Sequence, residues 1–419
     1  MVKSELTVQP FDCMNYFYHE VQEHFIRELT RFNGHLDEIA LKRAAALLVS
    51  AVPLISCCFD TKTHCWRKQN FTADAIVHLV EVQAGEENPS EKLLLSSIDI
   101  TCEPQIKIFL IQEPNCDTLC VIINHMVSDG TGFKELLYLL SDLYAKCKKD
   151  ADYSNKPKPK DDRSLGQLLK NLSFAEKLSI LFSETDSPKQ SNALILPLKG
   201  NKSQPFLAVR RIEQEQFAKI KGYAKNNHVS VNDMMLTAYL RVLHQVTKCD
   251  MITVPCPVDL RKYKAVGQEC GVCHLTSNYV CSISIHTTDS FEDTLKQISM
   301  QMQAQKLSNA CLKGPMLLNI LFHVLPFQAV RRLFRIPITS YTNLGIIDAE
   351  KFNFDGLAIC DAYIATAVKY VPYFQVSIST YANCCTLTSC SHSTENDKKI
   401  IENVLEQMQN ELSNLVSAE

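Results

Sequence analysis

Apolar residues recur at two different spacings in the first third of the chain. Residues 37–51 carry them at helical spacing, and Pro53 ends that pattern. Residues 105–112 alternate apolar with polar positions, which predicts a strand with one buried face. Residues 119–123 are an unbroken apolar run, which predicts a strand buried on both faces. Residues 132–147 follow as a strongly amphipathic helix.

A second series of elements begins near residue 206. Its predicted strands are 206–212, 251–257, 279–285, 373–381 and 385–391, and its predicted helices are 213–226, 231–246, 291–306 and 396–413. In the first series, residues 54–59 are also predicted to form a buried strand. Alternation of strands with helices predicts an α/β fold.

Polar segments separate the two series of elements. Residues 148–163 contain Lys-Pro-Lys-Pro-Lys and almost no large apolar side chain, which is typical of a linker. Ser173-x-x-Glu176 predicts a capping box at the start of a short helix, and a second polar stretch follows at 184–192. We therefore predict an N-terminal half at 1–150, a linking segment at 151–204 and a C-terminal half at 205–419.

Composition excludes several classes of function. The 419 residues include 43 basic and 46 acidic side chains, so the sequence does not indicate binding to nucleic acid. Only 12 glycines are present, and neither G-x-x-x-x-G-K-[ST] nor G-x-G-x-x-G occurs. No apolar run reaches the ~20 residues that span a bilayer, and the first residues do not resemble a signal peptide. These patterns predict a cytoplasmic protein without a transmembrane segment.

The 18 cysteines are expected to be reduced and mostly buried in such a protein. Cys270 and Cys273 form a C-x-x-C pair, but no second pair stands at zinc-site spacing. The sequence therefore predicts no bound metal.

The segment with candidate chemistry is N-H-M-V-S-D-G-T-G at 124–132. His125 closes the buried strand, Asp129 and Gly130 turn the chain, and Thr131 is the predicted cap of the next helix. Among the 12 histidines only His125 has an aspartate four positions later. Because short motifs often match by chance, spacing alone leaves two interpretations open. One is a structural corner with a buried histidine, and the other is a base held at the mouth of a strand.

The H-x-x-x-D-G segment at 125–130 resembles the signature of the chloramphenicol-acetyltransferase-like superfamily. That superfamily includes condensation domains of peptide synthetases and stand-alone acyltransferases that use acyl thioesters. V-D-L-R at 258–261, S-Y-T-N-L-G at 340–345 and the layout in two halves resemble it too. The resemblance implies two similar α/β subdomains, arranged as a V-shaped pseudo-dimer around a central channel.

The resemblance implies a role for each residue of the motif. His125 would be the general base that deprotonates the acceptor, a task that suits a neutral imidazole. Asp129 would order the loop through an arginine. Arg261 is the candidate partner, although a solvated charge after a strand is an equally good interpretation. Gly130 would leave room for the thioester, and its N–H would stabilise the oxyanion.

Four further residues are assigned to the surroundings of the motif. Asn124 stands where condensation domains usually carry the first of two histidines, so it is expected to support the site structurally. Ser128, Thr342 and Asn343 are predicted to line the channel, while capping of a strand end is the alternative for Thr342 and Asn343. The asparagine, and the lack of adenylation or carrier segments, favour a stand-alone acyltransferase.

The resemblance therefore implies transfer of an acyl group from a thioester, acyl-CoA, to a small-molecule alcohol or amine. No permanently bound cofactor is implied, and no G-x-S-x-G elbow is present to form a covalent intermediate. One alternative is a condensation domain that takes its donor from a phosphopantetheinyl acyl carrier protein and forms an amide or ester. Another is a catalytically silent relative that serves as a binding or scaffold module.

The apolar segment 314–336 ends in Arg331, Arg332 and Arg335. Packing on the core is the default interpretation of such a segment. Lining of an acyl pocket is a second interpretation, and peripheral contact with a membrane surface is a third.

Overall fold

The computed structural model describes residues 5–157, 162–183, 194–200, 204–265 and 270–417. The strands are β1 (Glu5–Thr7), β2 (Phe25–Phe32), β3 (Cys57–Asp60), β4 (Cys65–Lys68), β5 (Val77–Glu81), β6 (Ile106–Gln112), β7 (Asp117–Asn124), β8 (Pro205–Ile212), β9 (Met251–Asp259), β10 (Thr276–Ser284), β11 (Thr339–Ile346), β12 (Ile359–Ala365), β13 (Lys369–Tyr370), β14 (Phe374–Tyr381) and β15 (Cys384–His392). The helices are α1 (Pro10–Phe17), α2 (Glu38–Ala51), α3 (Ser90–Leu94), α4 (Gly130–Lys149), α5 (Gly166–Leu169), α6 (Phe174–Phe182), α7 (Gln214–Asn226), α8 (Val231–Thr247), α9 (Phe291–Leu307), α10 (Lys313–Val324), α11 (Phe327–Leu333) and α12 (Glu395–Ser417). Short 3-10 turns occur at Tyr18–Glu20, Pro53–Ser56, Ala73–Ala75, Leu260–Tyr263 and Ala310–Leu312.

One five-stranded sheet carries the segment of interest, in the order β12-β2-β7-β6-β5. Its central strand β7 is buried along its whole length, as its unbroken apolar sequence predicts. Helices α2 and α4 pack together on one face of this sheet. Strand β12 comes from the C-terminal part of the chain and pairs antiparallel with β2, so the two predicted halves share a sheet.

A second five-stranded sheet has the order β11-β14-β15-β13, with β8 paired to the other side of β15. Helices α7, α8 and α12 pack beside it around the largest hydrophobic core. Strands β9 and β10 form a long antiparallel ribbon, and β1, β4 and β3 form a small sheet. The predicted α/β fold class is confirmed, whereas the V-shaped pseudo-dimer, its channel and the domain boundaries stay predictions.

Local sequence signals placed most helices within a few residues of their observed ends. Asp37 caps α2, Ser230 caps α8, and Ser173 with Glu176 forms the predicted capping box of α6. The cap predicted at Thr131 is wrong, because α4 begins two residues earlier than predicted and Asp129 accepts the capping hydrogen bond from Gly132 N–H.

One predicted strand is shorter than expected and one strand was not predicted, each for a physical reason. The predicted strand 54–59 begins as a 3-10 turn, because Pro53 starts that turn and only Cys57–Asp60 is extended. Strand β2 was missed because its sequence contains Arg27 and Glu28, which are both buried. Arg27 Nε donates to the Leu94 carbonyl at 2.8 Å, and Glu28 accepts from Thr30 Oγ1. Buried, hydrogen-bonded ionisable side chains therefore hid the apolar pattern of a core strand.

No helix within the described ranges is long and apolar enough to cross a membrane. All 18 cysteines are free thiols, and most of them are buried. The polar stretch 184–192 lies outside the described residues. The cytoplasmic location stays a prediction.

Candidate functional site

His125 follows directly after the buried strand β7, at the start of the loop to α4. Its backbone N–H donates to the His24 carbonyl at 2.6 Å, which continues the pairing of β7 with β2. Its Nδ1 lies 2.9 Å from the Ser128 carbonyl oxygen. Because a carbonyl only accepts, Nδ1 carries the proton of a neutral ring and Nε2 carries the lone pair. The fold therefore selects the tautomer in which Nε2 is the basic atom.

The environment of His125 keeps its imidazole neutral. Burial lowers the pKa of His125 below its ordinary value of 6.5, the Asp129 carboxylate partly opposes that effect, and the Lys369 ammonium adds to it. The His274 ring lies 5.3 Å from the His125 ring. Burial lowers the pKa of His274 to about 3 and that of His24 to about 4, so neither neighbour is charged near neutral pH.

Asp129 has a structural position behind the loop. The residue is 1% exposed, and Oδ1 accepts the N-cap hydrogen bond from Gly132 N–H at 2.8 Å. Its Oδ2 accepts from Leu275 N–H at 2.7 Å, Thr276 Oγ1 at 2.9 Å and Arg261 Nη1 at 2.9 Å. Burial would raise the pKa of this carboxyl, but the positive charge of Arg261 holds it well below its usual range. With both oxygens occupied, the Asp129 carboxylate ties the loop to Arg261 and to the start of β10.

Arg261 reaches Asp129 from the 3-10 turn that follows β9. Its Nη1 also contacts Asp259 Oδ1 at 3.1 Å, and its Nη2 donates to the Cys273 carbonyl at 2.8 Å. The structure thus brings together the two residues that the resemblance paired, and the side chain is largely buried instead of solvated. This contact joins the loop of the N-terminal sheet to the β9–β10 ribbon.

The two glycines of the loop, Gly130 and Gly132, lie where other parts of the chain come very close to the loop backbone. A Cβ at Gly132 would lie 2.3 Å from Ser128 Oγ and 2.9 Å from the Cys273 carbonyl oxygen. A Cβ at Gly130 would lie 2.4 Å from a side-chain carbon of Leu344. Backbone crowding at Gly132 therefore requires glycine, whereas at Gly130 a flexible leucine could shift.

Asn124 and Ser128 hold the loop from inside. The buried Asn124 side chain donates to Gln105 Oε1 at 2.7 Å and accepts from Met126 N–H at 3.0 Å. Ser128 Oγ is buried and donates to the Asp129 carbonyl at 3.0 Å. The supporting role expected for Asn124 agrees with these contacts. Ser128 Oγ is turned into the loop, and the place of Ser128 in a channel stays a prediction.

Thr342 and Asn343 lie on β11, which pairs in parallel with β14. Asn343 Nδ2 donates to Asn232 Oδ1 at 3.0 Å, and its Oδ1 accepts from Gly345 N–H at 2.9 Å. Thr342 is buried opposite Ser377. The Asn343 amide therefore stabilises an irregular strand end, and the place of Thr342 and Asn343 in a channel stays a prediction.

Arg163 is a residue of the site that sequence analysis missed. It makes a two-pronged ion pair with Asp12, with Nη1–Oδ2 at 2.8 Å and Nη2–Oδ1 at 2.9 Å. The same Nη2 donates to the Val127 carbonyl at 3.1 Å and lies 3.3 Å from that of Met126. Arg163 thus holds the loop at the Met126 and Val127 carbonyls, whereas Arg261 holds it at Asp129. Its only sequence signal was one arginine at the end of a polar segment that resembles a linker.

Lys369 is a second missed residue, on the short strand β13. Its ammonium donates to Gln22 Oε1, and burial lowers its pKa to about 7. Within the described ranges, no group of three or more histidine, cysteine or acidic side chains could hold a metal ion. The chemistry available near His125 is therefore that of a neutral base, backbone donors and a buried lysine.

The model of the condensation domain family matches residues 16–310. The chain belongs to the condensation domain family. This match confirms the resemblance drawn from the H-x-x-x-D-G segment. Condensation domains transfer acyl or peptidyl groups, so at the level of its family the chain is a transferase.

Solved structures with the same fold cover nearly the whole chain. Polyketide synthase associated protein 5 from Mycobacterium tuberculosis is 15% identical, with a TM-score of 0.70 and 99% of both chains covered. The first condensation domain of the CDA synthetase is 11% identical, with a TM-score of 0.70 and coverage of 99% of this chain and 97% of that one. The epimerization domain from the third module of tyrocidine synthetase B is 15% identical, with a TM-score of 0.66 and coverage of 100% and 97%. No curated protein sequence matches the chain.

Proposed function

We propose that this condensation-domain protein transfers an acyl group from a thioester to an alcohol or amine, with His125 as the general base. The observation that carries the proposal is the contact of Nδ1 with the Ser128 carbonyl, which leaves the Nε2 lone pair available. A pKa lowered by burial keeps the base unprotonated at neutral pH. The catalytically silent alternative requires no such tautomer.

The proposed reaction needs no covalent intermediate on the enzyme. His125 Nε2 removes the proton from the acceptor hydroxyl or amine as the acceptor attacks the thioester carbonyl carbon. The N–H of Gly130, in the first turn of α4, is the proposed donor to the oxyanion, and the positive end of the helix dipole supports the same charge. When the tetrahedral intermediate collapses, the carbon–sulfur bond breaks and the thiolate takes the proton back from the imidazolium.

The donor is either acyl-CoA or an acyl group on a phosphopantetheinyl carrier protein. The family match favours the carrier, because condensation domains act on carrier-bound substrates. The asparagine at position 124, in place of the first histidine of peptide synthetases, favours acyl-CoA with a small-molecule acceptor. Both donors release one free thiol for each transfer, so one assay covers both.

The test is thiol release from a panel of acyl-CoA donors and from acyl-loaded carrier protein, with pooled alcohols and amines as acceptors. We expect His125→Ala to lower the rate by ~10²-fold or more with an unchanged melting temperature. His286→Ala, at an exposed histidine in another loop, is the matched control and should keep the full rate. A folded His125→Ala protein with near-normal turnover would exclude the base. Release of no thiol from either donor class would favour the silent relative.

A further inference from the structure

Helix α6 carries an exposed apolar stripe. Phe174, Leu178 and Phe182 follow one another at intervals of four residues and therefore share one face of the helix. Phe174 is 76% exposed and Phe182 is 82% exposed, whereas Ile180 on another face is buried. Packing among the described residues leaves these two phenylalanines, at the two ends of a nine-residue helix, exposed to water.

Helix α10 carries a second exposed stripe. Leu317, Ile320 and Val324 are three and four residues apart and are exposed, with Val324 at 67%. The core contacts of this helix use other side chains, since Met316 is buried and the Phe322 ring stacks on Phe17 at 6.0 Å. Core packing, the default interpretation of segment 314–336, therefore accounts for only part of its apolar surface.

The two stripes belong to neighbouring helices. Helix α6 packs against α10, and α10 packs against α11, which adds the exposed Leu333. Lys313 Nζ at the start of α10 donates to the Ser183 carbonyl just after α6. We call the exposed side chains of α6, α10 and α11 the apolar surface; its members are Phe174, Leu178, Phe182, Leu317, Ile320, Val324 and Leu333.

Basic residues accompany the apolar surface. Segments 170–183 and 313–336 contain six lysines and arginines and a single acid, Glu176, although the whole chain has a net charge of −3. Arg332 and Arg335 are exposed, while Arg331 is paired with Glu20. These segments thus have an excess of five positive charges, of which Arg331 and Lys170 face the acids Glu20 and Asp162 outside them.

We propose that the apolar surface docks the protein on a lipid bilayer that contains anionic headgroups. A bilayer interface suits both features of these helices. Its acyl chains can receive the phenylalanine and leucine side chains, and its negative headgroups can bind Arg332 and Arg335. The exposed apolar side chains lie on outward faces of three helices, and the fluid interface of a bilayer can pack around them. The proposed docking does not use the His125 side chain, so it can be tested independently of the proposed acyl transfer.

The test is sedimentation of the full chain with vesicles of phosphatidylcholine alone or with about 30% phosphatidylglycerol. We expect binding to the anionic vesicles, weaker binding to the neutral ones, and loss of binding as salt rises. Phe174→Ser with Phe182→Ser should weaken binding at least tenfold on anionic vesicles. Arg332→Gln with Arg335→Gln should weaken it at least tenfold on anionic vesicles only, since each basic residue near the surface contributes about fivefold.

Matched controls alter the same residue types elsewhere. Ile39→Ser removes an isoleucine that is 71% exposed on α2, and Lys219→Gln with Lys225→Gln removes two exposed charges on α7; neither change should affect binding. His125→Ala should bind vesicles like the parent protein, which separates this proposal from the catalytic one.

Three results would overturn the proposal. The first is a parent protein that does not sediment with anionic vesicles. The second is equal binding by the parent and the double phenylalanine variant. The third is concentration-dependent self-association that the same variant abolishes while vesicle binding is absent, because the occupant of the surface would then be a second copy of the chain.

Discussion

Replacement of Arg261 by methionine tests the ion pair that fixes the loop. Methionine keeps most of the volume of the side chain but removes the charge opposite Asp129, which is 1% exposed. Three donors would remain on the carboxylate, from Gly132, Leu275 and Thr276. The Cys273 carbonyl would also lose its donor at 2.8 Å and keep only the Asp129 N–H at 3.4 Å. Removal of one partner of a buried pair costs about 3–5 kcal/mol, because the other charge stays buried without compensation.

The expected effect can be expressed as a melting temperature. An unfolding entropy of roughly 2 cal/mol/K per residue gives about 0.9 kcal/mol/K for a chain of this length that unfolds as one unit. Arg261→Met should therefore lower Tm by about 3–6 °C at pH 7. The assay is calorimetry together with urea unfolding of Arg261→Met, Asp129→Asn and the double variant. Because both residues act through one contact, the double variant should lose at least ~1 kcal/mol less than the two single losses combined.

The same variant changes the dependence of stability on pH. The pKa of Asp129 is depressed in the folded protein, so its contribution is present above the unfolded pKa and is lost as pH falls towards the folded one. Without Arg261 the folded pKa rises, and that contribution to stability becomes smaller at every pH above it. Arg210→Met, which breaks a half-exposed pair with Glu406, is the control and should cost at most ~1 kcal/mol. A Tm of Arg261→Met within 1 °C of the parent, or strictly additive losses, would refute the argument.

Three further predictions concern the surroundings of His125. Because its pKa is lowered, kcat/KM should stay level as pH falls through 6.5 and decline only at lower pH; a half-maximal rate at or above 6.5 would contradict this. Arg163→Gln removes the donor to the Met126 and Val127 carbonyls, so kcat should fall about tenfold with little change in KM. Arg163→Lys should recover part of the lost kcat, and a change in Tm alone would indicate a purely structural role. His274→Phe keeps the stacking on Phe11 but removes a histidine whose pKa is about 3 when folded, so the loss of stability between pH 6 and 4 should become about 1.4 kcal/mol per pH unit shallower; equal urea-unfolding slopes for variant and parent would disprove it.

The elements that the sequence predicted well are those whose apolar residues follow one period and whose ends carry capping side chains. Asp37, Ser173 and Ser230 cap their helices as local chemistry requires, and β7 is buried as its apolar run indicates. Strand β12 was not predicted, since it pairs with a strand more than 300 residues away in sequence. Pairing over such a separation depends on the path of the whole chain and leaves no local periodicity.

The sequence by itself determined the strand, the loop and the helix around His125, together with the family to which they belong. Tertiary structure decided the chemistry of that loop. A buried carboxylate needs a cation, and Asp129 obtains one from Arg261, 132 positions further along the chain. The ion pair of Arg163 with Asp12 arises in the same way, because two residues 151 positions apart meet beside the loop. Local spacing cannot specify such contacts, since charge neutralisation depends on distance in space and not on distance along the chain.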